Sequence, residues 1–489
     1  MYTTDAKVVV FGDVHGAYDA VSKLLEGVGV IDENGRWDAG DTHLVSVGDL
    51  VDRGPNSKKV MDLLMRLQEE AEAAGGHVHV LLGNHELMNL GGDLRDVSDA
   101  EYAALGGRSG HRQAFSVDGK YGQWLRGLPV AIKVNDTLFA HGGYSATSLV
   151  PLDDLNRRFW GSFEKVMTAA QKATASELIL NKDNALALPP FEGERPSELD
   201  AWYAATLAEP LGPTGLLWYR GNTSCHPLIE ATTVNRVLSF HKASRIVVGH
   251  TPTATRQIES RLQGKVIAID TGMLAAVYKG RPWALEINPS GKLVARSADG
   301  ESREILNRQI HRGGGVRQAE DLVFIKLKER AAKKAVAAYR LSDHLGLDLV
   351  PQTELEVNGI RQLQEPVLTE RTRLEQKVSR PNRCERESDY DLLAAFDSLI
   401  GKTDRTLDNL AYRRRDWQIR ALENETGFSS AGRLPTYAHA PKLTRALRAT
   451  MAAMSEDSLS VVLGELLKPR EIRALLKRRD KILEWETLD

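Results

Sequence analysis

The 489 residues predict an α/β fold followed by a second, mostly helical domain. Three observations carry this reading. Short apolar runs of strand length stop at glycine or at a polar turn. Helix-like stretches lie between several of them. Beyond residue 300 the pattern changes, and its end is strongly helical.

The runs come in order. Val8-Val9-Val10-Phe11 stops at Gly12, Leu44-Val45-Ser46-Val47 at Gly48, and Val78-His79-Val80-Leu81-Leu82 at Gly83. Leu138-Phe139-Ala140 stops at His141, Ile246-Val247-Val248 at Gly249, and Val266-Ile267-Ala268-Ile269 at Asp270. Their length and β-branched content favour buried strands. Tyr18–Glu26 and Ser57–Ala73 read as helices between them, and strands alternating with helices imply an α/β core. In such cores ligands gather beyond the carboxyl ends of the strands.

Residues 145–235 break the rhythm. They hold Phe159, Trp160, Trp202, Tyr203, Trp218 and Tyr219, with a Pro/Gly/Glu-rich loop at Leu188–Pro196. This reads as a helical insertion placed to lean over the strand ends as a cap, since long insertions are commonly functional. A peripheral subdomain with buried aromatics is the plainer reading. The first domain, 1–300, closes after Trp283–Ile287, and Gly313-Gly314-Gly315 reads as a turn or linker. The second domain is 301–489. Pro469 opens its last helix, where Ile472, Leu475, Leu476 and Ile482 keep helical spacing.

Composition narrows the class. With 42% hydrophobic and 27% charged residues the chain is ordinary globular material, and a formal net charge of -2 excludes a polyelectrolyte binder. The C-terminal part is slightly basic, which a solvated face explains, so nucleic acid is not indicated. Cys225 and Cys384 are too few for a disulfide framework, and a reducing compartment is the default. The N-terminus lacks a signal core, and no apolar run is long enough to span a bilayer. The expectation is a cytoplasmic protein with no membrane partner.

Five motifs follow the strand ends: Gly12-Asp13-Val14-His15-Gly16, Gly48-Asp49-Leu50-Val51-Asp52-Arg53-Gly54, Gly83-Asn84-His85-Glu86, His141-Gly142-Gly143 and Gly249-His250-Thr251. Alone, each is more often a turn or a structural histidine. In order, each after a strand, they supply what a two-metal hydrolase needs. Such a site wants hard or borderline ligands and a bridging carboxylate. Asp13, His15, Asp49, Asn84, His141 and His250 fit as ligands, with Asp49 as the bridge. Mixed oxygen and nitrogen donors suit two divalent ions of Mn, Fe or Zn. His85 has a suitable pKa to protonate a leaving alkoxide, and Asp52 can orient it. Arg53 and Arg220 are planar donors for phosphoryl oxygens. His43, His77 and His79 take no role in this scheme, and His77 and His79 are expected on the less buried face of a strand.

These residues resemble the calcineurin-like metallophosphoesterases. The form Gly48-Asp49-Leu50-Val51-Asp52-Arg53-Gly54 is similar to their phosphoprotein phosphatase branch. Leu217-Trp218-Tyr219-Arg220-Gly221 followed by Val247-Val248-Gly249-His250-Thr251 looks like the Shewanella-like phosphatases. The resemblance implies a β-sandwich of two mixed sheets flanked by helices, and direct attack by metal-bound water or hydroxide. It implies ligands at Asp13, His15, Asp49, Asn84, His141 and His250, the acid pair His85 and Asp52, and a clamp of Arg53 and Arg220. Substrates in the family include phosphoproteins, dinucleoside polyphosphates and other small phosphoesters. A phosphorylated protein is the first expectation; a nucleotide or dinucleoside polyphosphate is the alternative.

The second domain resembles the atypical kinases related to phosphatidylinositol kinases. Asp404-Arg405-Thr406-Leu407-Asp408-Asn409 looks like their catalytic loop, with Asp404 as base and Asn409 as metal ligand. Val323-Phe324-Ile325-Lys326 would carry the ATP lysine. Two departures point to a degenerate kinase: Ala335 stands near where the acidic partner of Lys326 belongs, and Glu423 replaces the metal-binding Asp. The implied partners are ATP or a protein. A bifunctional phosphatase/kinase is a further alternative, and a non-catalytic binding module is disfavoured by the full ligand set.

Overall fold

A computed structural model describes residues 1–175, 186, 194–305, 322–379, 384, 386–436 and 441–488. The Gly313-Gly314-Gly315 turn and most of the Leu188–Pro196 loop lie outside them. The chain divides into two units: Met1–Thr223 with Thr233–Gln309, and Ser224–Thr232 with Ile310–Asp489.

In the first unit two mixed sheets face each other. The six-stranded sheet contains β1 (Val8–Phe11), β2 (His43–Ser46), β3 (His77–Val80), β9 (Trp283–Ile287), β10 (Leu293–Ser297) and β11 (Ser302–Glu304), ordered β11-β10-β9-β1-β2-β3. The five-stranded sheet contains β4 (Ala131–Val134), β5 (Thr137–Ala140), β6 (Arg245–Val248), β7 (Glu259–Arg261) and β8 (Val266–Ala268), ordered β4-β5-β6-β8-β7. β1, β2 and β3 run parallel, as do β5, β6 and β8. One apolar core is shared by Val8, Val10, Val45 and Leu285 of the first sheet and Ile132, Phe139, Val247 and Ile267 of the second. The strands are buried on both faces, which is why they read as continuous apolar runs. Helices α1 (Tyr18–Gly27) and α2 (Ser57–Ala73) connect β1 to β2 and β2 to β3, and α3 (Asn84–Leu90) follows β3.

The insertion is helical where described, with helices Leu152–Ala175 and Ser197–Leu207 packed together. The first anchors on the β4 edge, where the Asn156 amide accepts from Val130 N–H at 2.7 Å and donates to the Ala131 carbonyl at 2.9 Å. Phe159, Phe163 and Trp202 are buried there. Ser224–Thr232, expected within the insertion, belongs to the second unit instead.

The second unit carries strands beside the helices that the sequence led one to expect. Helices Glu329–His344, Arg386–Ile400 and Pro469–Ile482 are joined by two antiparallel three-stranded sheets. One holds β12 (Leu322–Lys326), β13 (Thr353–Glu356) and β14 (Gly359–Leu363); the other holds β15 (Val367–Thr369), β16 (Leu410–Arg413) and β17 (Ile419–Ala421). Val323-Phe324-Ile325-Lys326, singled out by the kinase resemblance, lies in β12; the other strands are short and most carry polar or charged residues, so no apolar run marked them. Cys225 and Cys384 are disulfide-bonded, with Cα atoms 5.0 Å apart across a sequence separation of 159. Distance in sequence did not keep this pair apart. Among the described residues no helix is long and apolar enough to cross a membrane.

Candidate active site

Each motif turns sharply at a strand end. His15, Asp49, Asp52, Arg53 and His250 all hold left-handed backbone, with φ of 47°, 54°, 69°, 68° and 64°. Such conformations cost about 1 kcal/mol or more each in non-glycine residues and cluster at functional sites. Gly48 has φ 98° and lies so close to Gly83 that a Cβ would sit 2.5 Å from the Gly83 nitrogen. The Asp49 and Asn84 loops are thereby pressed together.

Asp49 is the hub. Its Oδ2 lies 3.2 Å from His141 Nε2, 3.7 Å from His15 Nε2 and 4.0 Å from His85 Nε2. Its Oδ1 accepts the His85 backbone N–H at 3.0 Å. Two buried donor groups result, His15–Asp49–His85 and Asp49–His141–His250, sharing the one carboxylate. Burial works to raise the Asp49 pKa, but His141 and His85 outweigh it and hold the group well below the usual carboxylate range. Burial likewise works to lower His141, yet Asp49 overrides it and lifts the ring to about 9.

The imidazoles are aimed by carbonyls. His15 Nδ1 donates to the Val51 carbonyl at 3.1 Å, and His141 Nδ1 to that of Val47 at 2.9 Å. Each Nε2 is left facing the hub, an arrangement typical of metal-binding histidines. Asn84 Oδ1 lies 2.9 Å from His141 Nε2. His250 Nε2 is buried without a hydrogen-bond partner. Burial, then Arg220, holds the His250 pKa well below its ordinary value, so the ring is neutral. An orphaned neutral imidazole nitrogen beside a carboxylate fits a divalent cation, since an unmet buried acceptor is otherwise costly.

Asp13 belongs to neither donor group. Both its oxygens accept the His250 N–H, at 3.0 and 3.1 Å, and it shares a hydrogen bond with Asp270. Two buried carboxylates in contact must share a proton or a cation. Burial, then Asp270, raises Asp13 well above the usual range, and burial raises Asp270 to about 6.

His85 and Asp52 form a tight pair, Nδ1 to Oδ2 at 2.7 Å, with Asn89 Nδ2 donating to Asp52 Oδ1 at 2.9 Å. Burial works to lower the His85 pKa, but Asp49 and Asp52 reverse it, and the net shift is upward. Asp52 itself is raised by burial, against the His85 bond. Arg53 Nη1 lies 3.0 Å from His15 Nε2 and also bonds the Tyr278 hydroxyl. Arg220 is brought in by the insertion, but its Nη1 donates to the His250 carbonyl at 2.8 Å and to Thr251 Oγ1 at 2.9 Å. Leu216 accepts from the Gly142 and Gly143 N–H groups, so the stretch Leu216–Arg220 rests on the motif loops.

Four contributors escaped the sequence reading. Glu86 accepts four backbone N–H bonds, from Gly83, Asp49, Leu50 and Val51, at 2.7–3.2 Å. Burial, then the Asp49 charge, raises its pKa to about 7. Asn89 is one helical turn after His85. Tyr278 stacks on His15 at 5.5 Å. Asp270 follows an apolar run just as the five motifs do, and that signal could have found it.

In the second unit Asn409 Nδ2 lies 3.4 Å from Glu423 Oε2 and 3.4 Å from the Asp404 carbonyl. The buried Lys402 ammonium donates to Asp404 Oδ1 at 2.8 Å, to the Glu423 carbonyl at 2.6 Å and to Thr426 Oγ1 at 2.9 Å. Lys326 is exposed at the end of β12, and Ala335 is buried in the helix that follows.

The family model described as calcineurin-like phosphoesterase matches residues 6–254. Shewanella-like protein phosphatase 1 of Plasmodium berghei is 27% identical over 57% of this chain and 70% of its own length. Shewanella-like protein phosphatase 2 of Arabidopsis thaliana is 26% identical over 58% of this chain and 75% of its own. A solved cold-active protein tyrosine phosphatase is 29% identical with a TM-score of 0.50, covering 62% of this chain and 79% of that one.

Proposed function

The chain belongs to the calcineurin-like phosphoesterase family, and from that premise we propose that it is a metal-dependent phosphomonoesterase acting on phosphorylated protein. The observation that carries the reading is Asp49, whose carboxylate joins two buried histidine groups beside the His85–Asp52 pair. Asp13, His15 and Asp49 would hold one ion; Asp49, Asn84, His141 and His250 would hold the other. Two ions of Mn, Fe or Zn would activate water and stabilise charge at phosphorus in an in-line displacement.

The protein's own groups do the rest. Asp52 accepts the Nδ1–H hydrogen bond of His85, which fixes the ring so that its Nε2–H points toward the leaving oxygen. The raised His85 pKa keeps that proton in place near neutrality. Arg53, braced by Tyr278, would offer the in-plane N–H donors of its guanidinium edge to the phosphoryl oxygens. Arg220 secures the His250 loop through Nη1 and is proposed as the second phosphate-binding arginine.

The relatives named as protein phosphatases support a phosphorylated side chain as substrate. A panel of phosphoserine, phosphothreonine and phosphotyrosine peptides, dinucleoside polyphosphates and aryl phosphates, with full-length protein and Mn²⁺, tests this. Turnover of the peptides is expected. Release of phosphate from nucleotides alone would replace the reading with a nucleotide hydrolase.

For the second unit we propose a kinase-like but degenerate role. The convergence of Asp404, Asn409 and Glu423 supports the likeness. The Lys402 ammonium already neutralises Asp404, which opposes a metal there. ATP turnover lost in Asp404→Asn but kept in Asp49→Asn would instead establish a bifunctional enzyme.

A further inference from the structure

Three histidines outside the catalytic scheme meet at the other end of the first sheet. His43 opens β2 and His77 opens β3, side by side in register, and His79 pairs opposite Val45. In a strand, residues two apart share a face, so all three rings lie on one face of the sheet. His77 is exposed, but His79 is not on the open surface expected of it: it is 8% exposed, under the Tyr2 ring 4.3 Å away, and His43 is 5% exposed.

His43 Nδ1 and His79 Nε2 are 3.0 Å apart. A buried imidazole usually finds a carboxylate or a carbonyl; here each faces another imidazole. The ring centroids are 4.9 Å apart for His43 and His77, 5.1 Å for His43 and His79, and 5.8 Å for His77 and His79. Three imidazoles around a tetrahedral ion with about 2.0–2.1 Å metal–nitrogen bonds need nitrogens about 3.3 Å apart and ring centroids about 5 Å apart. The spacing of His43 to each of the other two rings meets that requirement, and the His77–His79 spacing of 5.8 Å is wider. Two of the nitrogens are already close to it, and the exposed His77 is free to rotate its own inward.

We propose that His43, His77 and His79 form a binding site for a single borderline transition-metal ion, with Zn²⁺ as its type, separate from the candidate active site. Burial lowers the pKa of His43 and, most strongly, that of His79, to about 3, so both rings are neutral, the form that binds a metal. The Asp41 carboxylate acts electrostatically on His43, in opposition to burial and the His77 charge. A water completes four-coordination. The four-residue strands β2 and β3 span about 13 Å; His43 and His77 stand at their amino ends and His79 two residues along β3, whereas Asp49 and Asn84 follow the carboxyl ends.

The test uses full-length protein stripped by chelator and equilibrated with Zn²⁺ at buffered free concentrations. Bound Zn²⁺ is measured by mass spectrometry for the wild type, His77→Ala and His77→Ala/His79→Gln. His77 is exposed and outside the catalytic scheme, so His77→Ala is expected to fold and to hydrolyse p-nitrophenyl phosphate like the wild type. The wild type is expected to hold one more equivalent than the double variant, and His77→Ala to bind that equivalent at least about tenfold more weakly, as for loss of a ligand-shell group. Equal Zn²⁺ content and affinity in the wild type and His77→Ala would overturn the proposal. An additional equivalent that survives in a folded double variant would overturn it as well.

Discussion

Asp52→Asn isolates the proton-transfer step. The asparagine carbonyl keeps the bond from Asn89, but its amide nitrogen now faces His85 Nδ1. The ring loses a charge-assisted hydrogen bond worth about 1.5–3 kcal/mol. At about 1.4 kcal/mol per pK unit, the His85 pKa falls by about 1–2 units. The acid must be protonated to work, so turnover holds below its pKa and declines above it. Lowering the pKa moves that alkaline decline toward acid by the same 1–2 units (about). At a fixed pH above it, a phenyl ester should slow by about 10–100-fold. A p-nitrophenyl ester, whose leaving group needs little protonation, should slow far less. The assay is kcat against pH for both esters at saturating Mn²⁺. An unmoved alkaline limb, or equal losses for the two esters, would refute the role of the pair.

The other predictions concern the same site. His85→Asn should keep metal and phosphate binding while cutting turnover of poor leaving groups by about 10²–10⁴; isothermal titration with phosphate beside steady-state kinetics checks both halves. Chelation should abolish activity, and Mn²⁺ should restore it while raising Tm, by about 2.7 kcal/mol of stability at a hundredfold excess over Kd; an unchanged melt would argue against ions at Asp49. His250→Ala should lower the bound metal content, since it removes the orphaned nitrogen, and elemental analysis of the purified variant decides it. Gly48→Ala should cost about 1–3 kcal/mol and loosen the Asp49 and Asn84 loops together, because the added carbon meets the Gly83 backbone; a wild-type thermal melt would contradict that.

Much of the candidate site was legible because its residues follow strands whose apolar runs end at glycine. Asp49, Asn84, His141 and His250 each occupy such an end, and the five loops meet because β1, β2, β3, β5 and β6 end at one edge of the sandwich. Other parts depend on contacts that chain order hides. Val8 pairs with Ile287 across the first sheet, and no local pattern announces that partnership. Glu86 was visible beside His85, but three of its four N–H bonds come from the Asp49–Val51 loop, far away in sequence. Asp13 was read as a ligand from its spacing to His15; its contacts with the His250 N–H and with Asp270 join chain segments far apart and could not be read locally. In the second unit β12 exposes Val323, Phe324 and Ile325, so burial was no guide to its place.

The second unit is discontinuous, and this bears on how the two activities proposed for the chain can be separated. Ser224–Thr232 lies inside the phosphoesterase sequence yet belongs to the C-terminal unit. Thr444 Oγ1 bonds the Leu228 carbonyl, Gln418 bonds the Ser224 carbonyl, and Leu228 and Ile229 pack on the second core. A chain cut at residue 300 keeps this loop but removes these C-terminal contacts, only a few residues after Arg220. Such a truncation is therefore no neutral control: a change in substrate preference could come from a displaced Arg220 as readily as from a missing domain. A cut in the chain between Cys225 and Cys384 is a second way to divide it. The Cys225–Cys384 bond would hold the two fragments together until a reductant is added, so one preparation reports first the joined and then the parted state.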